Sequence, residues 1–242
     1  MKKHKHIVLV PVVCFAAACA TPGTHPHDMG AVEHGAAASA EDNAATAHAA
    51  EYDPTKTATR ERCAPTGARG NPSADAGACW SSVVNPTDEH RRAAEVHRKR
   101  AAEHRAASTA LRDAETAACA GIEADDRDMS PFEHREDITQ VSELFEGGGK
   151  GPRRLVGATV AFLAVPGMTP EWLQRVVDCH LARNAALGHV VPEMPDCPLV
   201  PNGVAARVRS TGNGFAVDIR SESAATAKEV FERASRLKAS AQ

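Results

Sequence analysis

The chain has 242 residues, 43% hydrophobic but only 4% aromatic, with 28 Lys and Arg against 31 Asp and Glu and 12 histidines. A formal net charge of −3 lacks the basic excess that a phosphate-binding surface needs, which excludes nucleic acid as an expected partner. So few aromatic residues at this length provide for one modest core, with part of the chain left outside it.

Residues 1–18 read as an export signal. Lys2, Lys3 and Lys5 precede an apolar run over residues 7–18, which Pro11 interrupts and which is too short to cross a membrane as a helix. Ala16, Ala17 and Ala18 then stand before Cys19. This arrangement resembles the lipobox of bacterial lipoproteins, departing from it at Ala16, where the family usually has Leu. The resemblance implies cleavage before Cys19, a diacylglycerol on its sulfur and an acylated amine. It also implies that the protein is held to the membrane by a lipid anchor. Ala20, where Asp marks inner-membrane retention, implies the outer membrane, with the body facing the periplasm.

Residues 19–80 are rich in Ala, Thr, Gly, Pro and Ser, have no sustained period, and read as a disordered tether. Treated as a flexible coil, such a tether would span ~45 Å. It carries His25, His27, Asp28, Met29 and His34, imidazole and thioether groups suited to Cu or Zn. Solvated histidines of a low-complexity linker are the favoured reading of that set. Of the seven cysteines, Cys14 leaves with the signal and Cys19 takes the lipid. In an oxidising compartment the remaining five predict two disulfides and one thiol. Cys63 with Cys79 and Cys179 with Cys197 are the expected pairs, and Cys119 competes for either of the last two.

A long helix is expected over 81–121, with Asn85 as its cap, Pro86, Asp88 and Glu89 in its first turn and Gly121 closing it. His90, His97, His104, Leu111 and Ala118 recur every seven residues beside Ala94, Ala101 and Ser108, which predicts a packing seam. Residues seven apart lie ~10.5 Å apart along the axis, so these histidines cannot share one ion. A second chain or an opposing element would have to complete any such site.

Residues 122–242 read as a small α+β domain. Strands are expected over 138–145 and 155–165, and a helix follows from the Thr169 cap to Gly188. A hairpin over 204–219 turns at Asn213-Gly214, and a last helix begins at Ser223. Four mainly antiparallel strands and two helices make a two-layer sandwich.

Cys179, His180, His189, Met194 and Cys197 form the most suggestive cluster of this domain, since each can ligate copper. The simpler reading pairs His180 with Asn184 inside the core and bridges Cys179 to Cys197. Gly147 to Gly151 lacks the spacing and the following helix of a phosphate loop, and the charged run over 125–137 reads as a connector. No nucleophile elbow, zinc-protease helix or dinucleotide fingerprint occurs, so no catalytic residue and no small-molecule substrate are expected. The expected function is that of a non-catalytic cell-envelope lipoprotein presenting a small adaptor domain to an envelope protein partner. The alternative is a periplasmic Cu or Zn binder.

Overall fold

In the computed structural model, residues 23–63, 79–148 and 151–239 are described. The expected signal, Cys19 and, within the glycine run, Gly149 and Lys150 lie outside them. The architecture is α+β, in two parts: an antiparallel helical pair with a projecting ribbon, and a sandwich of four strands and two helices.

Helix α1 spans Ala31–Glu51. It begins where the Glu33 carboxylate reaches back to accept the Gly30 backbone N–H at 3.0 Å, one half of a capping box. Its buried residues are Ala31, His34, Ala38 and Ala45. Residues 31–51 are therefore not part of a disordered tether. Alanine carries almost no hydrophobic contrast, so the pattern that betrays most amphipathic helices is silent here.

Strands β1 (Ala58–Cys63) and β2 (Cys79–Val84) pair antiparallel, with Cys63 opposite Cys79 and joined to it by a disulfide. The ribbon's side chains are mostly exposed. Helix α2, Asp88–Ala118, starts later than 81 because β2 occupies the first part of that stretch. Asn85 does not cap it. Its carboxamide accepts from Thr87 N–H at 2.8 Å and donates to the Asp53 carbonyl at 2.7 Å, binding the two ends of the ribbon together.

A short helix α3 (Ala124–Asp128) and a 3-10 turn at Arg135–Asp137 lead into β3 (Ile138–Glu146) and β4 (Arg154–Leu163). Helix α4, Pro170–Ala186, opens as its sequence predicts: Thr169 accepts the Trp172 N–H at 3.1 Å and Pro170 occupies the first turn. Strands β5 (Val204–Thr211) and β6 (Gly214–Ser221) form a hairpin in which Thr211 faces Gly214, so the turn residues are Gly212 and Asn213. Helix α5, Ala224–Ala239, completes the chain.

The sheet order is β3-β4-β6-β5, every neighbour antiparallel. Val160, Val217 and Ile219 on one face are buried against Leu173 and Val177 of α4 and Val230, Ala234 and Leu237 of α5, with Phe132 and Leu199 closing the ends. The edge strand β5 is protected from α4: the Gln174 side chain accepts the Val208 N–H at 2.7 Å and donates to the Ala206 carbonyl at 3.3 Å. A side-chain amide thus makes the pair of bonds that an additional strand would make.

The two parts are joined covalently by Cys119–Cys179, between the end of α2 and α4. This replaces the expected Cys179–Cys197 bridge, and Cys197 is a buried thiol. Arg183 adds an ion pair to Glu115 at 3.2 Å, and Arg175 bonds the Ala120 carbonyl at 2.9 Å. At the start of α1, Gly30 lies against the end of α4 so closely that a Cβ on it would stand 2.8 Å from the Gly188 nitrogen.

Candidate metal centre in the histidine seam

The element opposing the histidines of α2 is α1. His34, Glu41 and His48 recur every seven residues along α1, as His104, His97 and His90 do in reverse along α2, and the helices run antiparallel. Three polar layers result. Between them Ala31, Ala38 and Ala45 of α1 and Ala94, Ala101 and Ser108 of α2 are buried, small enough to bring the backbones close. The Ser108 hydroxyl donates to the Ala31 carbonyl at 2.7 Å.

In the first layer, His34 Nδ1 lies 3.0 Å from His104 Nδ1, and His34 Nε2 lies 3.0 Å from the His25 carbonyl oxygen. A carbonyl only accepts, so the bonding pattern assigns the hydrogen of neutral His34 to Nε2, and His104 Nδ1–H donates to His34 Nδ1. Both rings are buried, and burial holds the His34 pKa below the usual histidine value. In the middle layer, His97 Nδ1 lies 2.5 Å from Glu41 Oε2, a charge-assisted bond inside the seam.

The third layer is different in kind. His48 Nδ1 lies 3.3 Å from His90 Nδ1, which lies 2.6 Å from Glu51 Oε2, and the three atoms fall within 4.8 Å of one another. The His48 ring also stacks on His97, at 5.4 Å between centroids. Zinc–nitrogen bonds of about 2.05 Å at tetrahedral angles place neighbouring donors ~3.3 Å apart, the separation of the two imidazole nitrogens here. His48 and His90 are half-buried and Glu51 is 58% exposed, so a fourth position faces solvent. Two imidazoles and a carboxylate suit Zn(II) or Cu(II) better than Mg(II) or Ca(II), which prefer oxygen. The other three-donor group, Glu61 with Cys63 and Cys79, has both sulfurs engaged in a disulfide and offers no thiolate.

The residues singled out from sequence fall elsewhere. His34 is buried in the first layer and His25 lends it a backbone carbonyl. Met29 is half-buried before α1. His27 and His189 line one open cleft with Leu111 and Leu181 and a small cavity with Asp28 and Met29, but among the described residues no three His, Cys, Asp or Glu donor atoms converge there within 4.8 Å. His189 donates to the Val200 carbonyl at 2.8 Å. His180 does not bond Asn184, whose amide donates to the Leu199 carbonyl at 3.1 Å. Instead His180 Nε2 lies 3.3 Å from Met194 Sδ, its Nδ1 has no partner among the described residues, and burial pulls its pKa down to about 4. Cys197 is likewise held as a thiol, because burial raises its pKa. His48 and Glu51 escaped the sequence reading. The signal for His48 was the same spacing of seven that marked His90, read on one helix only, and Glu51 follows His48 by three residues, on the same helix face.

Compared with known proteins, the chain matches no family model, no curated protein and no solved structure.

Proposed function

We propose that this is an exported, lipid-anchored protein of the bacterial cell envelope that binds a divalent transition-metal ion between α1 and α2, through His48, Glu51 and His90. The observation that carries the reading is the convergence of those three donor atoms within 4.8 Å, with the two imidazole nitrogens 3.3 Å apart, a tetrahedral edge, and the exposed Glu51 carboxylate in 2.6 Å contact with His90, from which it must draw back to admit an ion. An open position favours exchange of the ion, as a periplasmic buffer or donor requires, over permanent structural burial. The lipid anchor at Cys19 and the outer-membrane location follow from the lipobox resemblance and belong to the same proposal. The envelope protein partner expected from sequence becomes, on this reading, the acceptor or source of the ion.

Titration of the full-length protein with Zn(II) and Cu(II) against a competing chelator tests the metal reading. One equivalent bound with sub-micromolar affinity is expected, and His90→Gln or Glu51→Gln should weaken it at least tenfold. Equal affinity in those variants would remove the site. Mass spectrometry of the protein recovered from membranes tests the anchor, which requires acylation at Cys19.

A further inference from the structure

We infer, resting on that metal reading, that occupancy of the ion site decides whether α1 stays docked on α2, so that α1 is a latch released when the ion leaves. Two ligands, His48 and Glu51, belong to the end of α1, and the third, His90, to the first turn of α2. All three can hold one ion only while the helices are docked. Whatever binds the docked state alone pulls the docking equilibrium towards it, by a factor set by ion concentration over Kd.

Apolar contact contributes little to holding α1, whose other ties to α2 are mainly polar: the His34–His104 and Glu41–His97 layers, the Ser108–Ala31 bond and the Arg105–Asp42 ion pair at 2.6 Å. Helix α1 packs on α2 far more than on any other element, and its buried side chains are three alanines and His34. Alanine methyl groups remove little apolar surface from water, and all three layers across the seam are polar. Gly35, Asp42 and Asn43 further lower the helical propensity of α1. The remainder does not depend on it: the four-stranded sheet, α4 and α5 share their own core, and α2 is tied to α4 by Cys119–Cys179.

The hinge is visible. Asn85 and Thr87 bond the backbone of Asp53 directly after α1, at 2.7 and 3.1 Å, so the two helices remain joined at this end. The ion site lies about one turn from that junction. With His48 and Glu51 fixed to His90, the last turn of α1 cannot rotate about the hinge, and a helix, being stiff, stays aimed along α2. Without the ion, rotation separates the Gly30 end from Gly188.

Hydrogen exchange on the full-length protein separates the latch from the metal reading. The Kd for zinc is first measured, and exchange is then compared in EDTA and at zinc one hundred times that Kd. Backbone amides between Ala38 and His48 should exchange about one hundredfold more slowly with zinc, while those of β6 keep their rates. His90→Gln, binding at least tenfold more weakly, should reduce the slowing by the same factor, and Glu51→Gln serves if that variant does not fold. Zinc bound with α1 exchange unchanged overturns the latch and leaves the metal site standing. No zinc bound overturns both.

Discussion

His34 and His104 share a single hydrogen between two buried nitrogens 3.0 Å apart, and the other nitrogen of His34 is committed to the His25 carbonyl. Removing one ring strands the other. His104→Leu should therefore destabilise the docked α1 by about 1–3 kcal/mol, whereas the double variant His34→Leu/His104→Leu should recover most of that loss. Chemical denaturation of the four proteins of this cycle, followed by the helical circular dichroism signal, gives the coupling. Purely additive losses would show that the two rings do not depend on each other.

The His180 ring sets a pH dependence. Its folded pKa is about 4 against 6.5 in the unfolded chain, so between these values the unfolded state holds a proton that the folded state refuses. Stability is then full above pH 6.5 and falls as the pH drops towards 4, by about 3 kcal/mol over the window. The depressed pKa of His34 acts in the same direction. His180→Leu should flatten the slope of unfolding free energy against pH by about one proton. An unchanged slope would place the titration elsewhere.

The two disulfides should differ in effect. Cys119–Cys179 closes a loop of 60 residues and joins the helical pair to the sandwich, so the Cys119→Ser/Cys179→Ser variant should lose about 4 kcal/mol. Cys63–Cys79 closes 16 residues in an exposed ribbon that contributes nothing to the main core, and its removal should leave the melting temperature of the sandwich within a degree or two. Thermal melts of both variants decide it.

Gln174 guards the β5 edge through its bonds to Val208 and Ala206. Gln174→Ala should cost about 1 kcal/mol and leave the Val208 N–H and the Ala206 carbonyl open at the edge of β5. Light scattering at increasing protein concentration should then show self-association that the parent chain lacks.

The sandwich was legible because its signals are strong and local. Phe215, Val217 and Ile219 alternate with less apolar neighbours, Thr169 and Pro170 announce a helix, and Gly188 ends it, so the elements fall within one or two residues of expectation. The helical pair was only half legible. The spacing of His90, His97 and His104 announced a seam, but its counterpart was hidden in an alanine-rich stretch whose burial involves no large apolar side chain. Ala31, Ala38 and Ala45 in register with His34, Glu41 and His48 carry the same period as α2, and two antiparallel lines of seven would have matched. The exchange of Cys197 for Cys119 has another cause. Cys179 and Cys197 are close in sequence, whereas the contact of α2 with α4 that brings Cys119 to Cys179 depends on tertiary docking.

That covalent rivet between α2 and α4 ties assembly to geography. For an exported chain, the cytosol keeps Cys119 and Cys179 as thiols, and the precursor reaches the translocation machinery with its two halves unfastened and easier to unravel. On the export proposed above, oxidation on the far side would lock them together. A molecule stranded inside the cell would then be a looser and more protease-sensitive version of the one delivered outside.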